Sequence, residues 1–231
     1  MKIAITGATG QLGNIVVAKL KERTAADNLI ALVRTPEKAS NLGIEVRAFD
    51  YAKPETLVAS LHGVDKLLLI SGSEIGQREI QHKNVINAAK EAGVQEIIYT
   101  SILHATSSTM ALAPEHVATE KLLSESGLNF TILRNGWYTE NYTGSISGAI
   151  QAGAFIGSAG NGKVSSATRE DFAEAAAVVL TSEGHINKIY ELAGDEAYTL
   201  SDLANEVSTQ IGKEIPYNNL SALEEVLKNE A

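Results

Sequence analysis

The stretch from Met1 to Gly13 constrains the fold of this chain more tightly than any other. Ile3-Ala-Ile-Thr6 is a short apolar run of strand character, and Gly7-Ala-Thr-Gly10-Gln-Leu-Gly13 follows without a break. Ile15, Val16, Ala18 and Leu20 then recur at helical spacing. The three glycines have separate physical roles. Gly7 permits a tight turn, Gly10 lets the backbone approach a pyrophosphate, and Gly13 allows close packing of helix on strand. The start of the helix adds unpaired N–H groups and the positive end of its dipole, a ready seat for phosphate. A glycine-rich connector with no ligand has the same composition. The position of this one, between a strand and a helix in a βαβ unit, favours a dinucleotide site.

Downstream, strand-length apolar runs alternate with helix-length segments. The expected strands are 3–6, 29–33, 45–48, 66–70, 96–100 and 129–133, several of them apolar on consecutive residues, as in strands buried on both faces. Between them lie expected helices at 11–22, 36–41, 54–61, 76–92 and 113–126. This alternation predicts an α/β chain with a doubly wound parallel sheet of the Rossmann type. After Leu133 the pattern changes to a glycine-rich stretch, Gly144 to Gly162, with a helical piece near 147–151. A helix at 169–182, a strand at 188–192 and a helix at 201–211 follow, the last capped by Thr199 or Ser201. The expected division is a dinucleotide-binding core over 1–134 and a smaller α/β lobe over 135–231, packed on the same sheet.

Composition excludes several classes. The 231 residues carry no cysteine, which rules out disulfides and thiolate metal sites and fits a reducing compartment. The five histidines show no metal-ligand spacing, so no metal is expected. The net charge is −9 with no basic block, which argues against nucleic acid as a partner. The N-terminal apolar run breaks at Gly7, too short for a signal-peptide core, and no segment approaches the roughly 20 apolar residues of a membrane span. A cytoplasmic protein is expected, with a homodimer left open.

The second strand ends Ala31-Leu-Val-Arg34. An NAD site usually places a carboxylate here for the ribose 2′-hydroxyl, whereas Arg34 offers a planar fork suited to a 2′-phosphate. Lys38 offers a second positive charge. The cofactor expected on this ground is NADP(H), although a surface arginine that merely opens the next helix would look the same.

Six stretches together carry a family resemblance: ITGATGQLG, VRTPEKA, LLLISGSEIGQR, QHKNVINAAKEAGV, IIYTSILHA and LRNGWYTENY, with SATREDFA beyond them. The chain resembles the NmrA-like atypical short-chain dehydrogenases, and within them the NAD(P)H quinone oxidoreductases of type 2. The resemblance implies that the turn Thr6, Gly7, Ala8, Thr9, Gly10, Gln11 and Leu12 wraps the pyrophosphate and that Arg34 meets the 2′-phosphate. It implies further that Ser71, Gly72 and Ser73 line the nicotinamide-ribose side. Tyr138, Thr139, Glu140, Asn141, Tyr142, Thr143 and Arg169 are implied to close over the cofactor and border the substrate. Ser71–Ser73 as a plain polar loop, and Trp137 with Tyr138 as packing aromatics, are the competing readings. The chain ends at Ala231, before the further C-terminal helices with which type 2 quinone reductases continue.

Short-chain dehydrogenases that reduce ketones use a Tyr and a Lys four positions on, one helical turn apart. Here His116 and Glu120 stand at those places, and Lys121 is displaced by about 100° around the helix. The usual proton relay is therefore missing, with His116 the one residue left as a candidate acid; a structural histidine is the competing reading. A ketone needs a positioned acid, whereas a quinone gives a stabilised anion that water can protonate later. The sequence thus points to an NADPH-dependent oxidoreductase passing hydride to a quinone-like acceptor. An NADP(H)-binding redox sensor without turnover is the alternative.

Overall fold

The structure, a computed structural model, describes residues 1–221. In chain order the strands are β1 (Ile3–Thr6), β2 (Leu29–Val33), β3 (Glu45–Ala48), β4 (Lys66–Leu69), β5 (Glu96–Ile102), β6 (Asn129–Asn135), β7 (Phe155–Gly157), β8 (Lys163–Val164), β9 (Lys188–Leu192), β10 (Tyr198–Thr199) and β11 (Tyr217–Asn219). The helices are α1 (Gln11–Lys21), α2 (Pro54–Ser60), α3 (Arg78–Ala92), α4 (Ala113–Ser126), α5 (Glu140–Thr143), α6 (Ile146–Ala152), α7 (Arg169–Thr181) and α8 (Leu200–Ile211).

Seven strands form one sheet in the order β3-β2-β1-β4-β5-β6-β9, every neighbouring pair parallel. Every residue of β1 and β2 is buried, which is why these strands read as unbroken apolar runs. The order reverses between β1 and β4, and sheets of this kind bind ligands in the crevice at that reversal. This is the expected Rossmann-type sheet.

The chain forms two compact units. Among the described residues, the first is Met1–Asn135 with Arg169–Leu192; the second is Gly136–Thr168 with 193–221. The sequence pattern predicts one smaller lobe from residue 135 onward, but the segment over 169–192 belongs with the first unit. The cause is pairing and packing: β9 extends the main sheet beside β6, and α7 packs on α1 with Lys19 bonded to Glu170 at 2.8 Å. Within the second unit, β8 pairs with β10 and β7 with β11. Thr199 caps α8, its hydroxyl accepting from the Asp202 amide at 3.1 Å while the Asp202 carboxylate accepts from the Thr199 amide.

Among the described residues no helix is long and apolar enough to cross a membrane. Leu67 on β4 lies in the main apolar cluster with no exposed surface. Leu67→Ala is expected to cost about 3 kcal/mol, read as a lower urea midpoint at unchanged slope; a loss under about 1 kcal/mol would contradict this placement of the core.

Candidate functional site

The crevice at the β1/β4 reversal is a cavity of about 360 Å³. Four strand ends supply its walls: Gly7, Thr9 and Gly10 after β1, Leu32–Thr35 with Lys38 from β2, Phe49–Tyr51 after β3, and Ile70–Glu74 after β4. Gln81 from α3 completes it. Of the residues expected at a cofactor, the cavity gathers Gly7, Thr9, Gly10, Arg34, Ser71, Gly72 and Ser73.

The turn has a steric basis. Gly7 has φ +58°, in the left-handed region. A Cβ on Gly13 would sit 2.3 Å from the Gly7 carbonyl oxygen, so only glycine lets α1 start this close to β1. The Gly10 amide donates to the Gly7 carbonyl at 2.8 Å. No side chain caps α1, and no acidic residue stands in its first turn, so no protein carboxylate engages its leading amides from within the helix. Thr6, Ala8, Leu12 and Gly13 are buried behind the turn, and Gln11 is exposed. The Thr6 hydroxyl accepts from the Ile70 amide at 2.9 Å, tying the ends of β1 and β4 together. This donor set, with Arg34 and Lys38 beside it, fits a phosphorylated dinucleotide.

The β3 wall and Glu74 are crevice residues that the sequence pattern does not single out. Tyr51 donates to the Ile70 carbonyl at 2.9 Å, packs edge-on to Phe49, and its phenol is raised by burial. The F-D-Y run directly after a predicted strand was the signal available for this wall.

The loop after β4 is held by a buried polar cluster. The Gly72 amide donates to His82 Nε2 at 3.0 Å, and the Gly72 carbonyl accepts from Arg78 Nε. A backbone N–H can only donate, so His82 Nε2 is bare and Nδ1 carries the proton toward Thr119 Oγ1, 2.9 Å away. Thr119 in turn donates to the Glu115 carbonyl. Burial, then the charges of His116 and Arg78, push the His82 pKa down to about 3.

The two helix positions where ketone reductases carry Tyr and Lys are otherwise engaged. His116 is 2% exposed, with Nδ1 2.7 Å from the Tyr99 hydroxyl. Burial above all, and Arg78 next, lower its pKa to about 4, so at neutral pH it is an uncharged imidazole. Glu120 is buried and accepts from Ser101 Oγ at 2.6 Å and from Arg134 at 2.9 and 2.6 Å, a bidentate pair. Arg134 reaches Glu191 at 2.7 Å, and Glu191 also accepts from the His104 amide at 2.8 Å. Lys121 is 71% exposed and pairs with Glu125. Glu120 thus has both carboxylate oxygens bonded to protein groups, and His116 is tied to Tyr99.

The second unit holds the stretch 138–143. Thr139 bonds Ser166 at 2.8 Å, and Ser166 bonds the Tyr198 hydroxyl at 2.6 Å. The Tyr142 ring meets those of Trp137 and Tyr198 at 6.3 and 6.4 Å, and burial raises its phenol. Arg169 is the first residue of α7, in the first unit. Among the described residues no cluster of His, Asp and Glu converges on a metal position.

A family of NAD(P)H-binding proteins matches residues 7–183. The chain belongs to this NAD(P)H-binding family. It is 56% identical to quinone oxidoreductase 2 of Escherichia coli over 95% of this chain and 78% of that protein. The crystal structure of that NADPH-dependent enzyme complexed with NADPH matches with a TM-score of 0.93. A Citrobacter sp. triphenylmethane reductase complexed with NADP(H) matches at 0.96, with 41% identity over 100% of this chain and 84% of that one. An NmrA-like family domain-containing oxidoreductase of Aspergillus flavus is 30% identical over 96% of this chain and 75% of that protein. For this NAD(P)H-binding protein, then, the resemblance seen in the sequence to NmrA-like reductases and type 2 quinone oxidoreductases holds over nearly the whole chain.

The buried histidines set an acid limit on the fold. Their folded pKa values, about 3 and about 4, lie below the ordinary 6.5. As pH falls through 6.5 the unfolded chain takes up protons that the folded chain refuses, so stability declines until the folded values are reached. Between pH 7 and pH 5 the expected loss is about 2 kcal/mol per histidine. Urea unfolding at both pH values should show His116→Asn losing correspondingly less than the parent; an equal loss would refute the neutral buried His116.

Proposed function

We propose that this chain is an NADPH-dependent quinone oxidoreductase. One observation carries the reading beyond cofactor binding: His116 and Glu120 fill the proton-relay positions, the first as a neutral buried imidazole and the second already bonded to Arg134 and Ser101. A ketone, whose reduction creates a strongly basic alkoxide, is poorly served there. A quinone or similarly electron-poor acceptor forms a stabilised anion that water can protonate after release.

In this reading the residues act by holding and orienting. The amides at the head of α1 and the glycine turn, Thr6 to Gly13, hold the pyrophosphate, and Arg34, aided by Lys38, holds the 2′-phosphate against the background of a net charge of −9. Ser71, Gly72 and Ser73 border the ribose toward the nicotinamide, on a loop kept in place by His82 and Arg78. When bound, the cofactor supplies the hydride, and the protein supplies orientation and exclusion of water. For Tyr138–Thr143 and Arg169 the support is the family resemblance. A cytoplasmic location accompanies this reading, and a homodimer is open to light scattering.

Two measurements test it. Purified protein with NADPH and a small benzoquinone is expected to consume NADPH well above the non-enzymatic rate; no acceleration, with equal affinity for oxidised and reduced cofactor, would instead favour a sensor. Arg34→Glu should weaken NADPH binding by about 1.5–3 kcal/mol through the lost charge-assisted bonds, and unchanged binding would remove Arg34 from the site.

A further inference from the structure

Arg34 does not face the crevice alone. Its Nη1 lies 3.0 Å from Oε1 of Glu74, and both residues line the cavity. The other Glu74 oxygen accepts from Gln81 Nε2 at 2.7 Å. Gln81 is itself buried and part of the cavity wall. The loop that bears Glu74 is fastened on both sides: Gly72 is bonded by His82 and Arg78, and the Gly76 amide donates to Glu115 Oε1 at 2.7 Å. The carboxylate is thus a positioned negative charge beside the guanidinium, with half of its side-chain surface open to solvent.

That placement has opposite consequences for the two nicotinamide dinucleotides. A 2′-phosphate brought to Arg34 meets a carboxylate already paired there and must share or displace it. A free ribose 2′-hydroxyl is a donor, and a carboxylate is the acceptor that NAD sites ordinarily present to it. In such sites that carboxylate comes from the end of the second strand. Here Arg34 occupies that end, and the loop after β4 brings the acid to it across the crevice.

We propose that Glu74 sets the cofactor preference of this site: held by Gln81 against Arg34, it opposes the 2′-phosphate of NADPH and accepts from the 2′-hydroxyl of NADH, so that both nucleotides bind. The inference rests on the dinucleotide reading of the crevice.

Dissociation constants for NADPH and NADH, from nucleotide fluorescence titrations of the parent, Glu74→Gln, Glu74→Lys and Arg34→Gln, test it without reference to turnover. Glu74→Gln should raise the preference for NADPH over NADH by about three- to tenfold, as expected for one solvent-screened charge. Glu74→Lys should raise it further, and 0.5 M salt should shrink both gains. Arg34→Gln should lower it. A preference unchanged or lowered by Glu74→Gln, in a protein that binds NADPH and loses it on Arg34→Gln, overturns the role of Glu74 and leaves the site assignment standing. A parent protein that binds neither nucleotide overturns both.

Discussion

The contact on which the rest of the site depends is the approach of α1 to the end of β1. A single Cβ at Gly13 would stand 2.3 Å from the Gly7 carbonyl oxygen, so the helix starts where it does only because no side chain is there. That approach aims the leading amides of α1 at the reversal point of the sheet, the one place where neighbouring crossovers leave on opposite sides. The bond from the Ile70 amide to Thr6 then brings the end of β4, with its serine–glycine loop, alongside. The glycine turn, Arg34 and the β4 loop share one crevice because of this junction.

The chemistry at the carboxyl ends of β5 and β6 is defined by occupation. Ser101, Glu120, Arg134 and Glu191 form a hydrogen-bonded series across β5, α4, β6 and β9. A buried glutamate at the lysine position would be destabilising alone; the bidentate arginine is what makes it tolerable. The arrangement fixes the strand ends; under the proposed function it leaves no free acid there, the condition under which an acceptor with its own stabilised anion becomes the suitable one. His116 contributes in the same direction, since burial keeps it neutral.

Much of this is legible in the sequence because it is local. The expected strands of the main sheet agree with the observed ones to within two residues, and the glycine turn and Arg34 are read within one βα junction. What was not legible depends on distance or brevity. The strands 155–157, 163–164, 198–199 and 217–219 are two or three residues long and carry no period. The return of 169–192 to the first unit depends on β9 finding β6, a pairing that spacing does not announce. Glu74 lies 40 residues from Arg34, and the bidentate Arg134 lies 14 from Glu120. The altered proton-relay register is visible in the sequence as His116 and Glu120, whereas their partners Tyr99, Ser101 and Arg134 come from the fold.

A crystal structure of the protein soaked with NADPH tests the central claim most directly. The account predicts the pyrophosphate on the amides following Gly10 and the 2′-phosphate within hydrogen-bond distance of the Arg34 guanidinium. A nucleotide seated away from the β1/β4 crevice, or a 2′-phosphate turned from Arg34 into solvent, would contradict it.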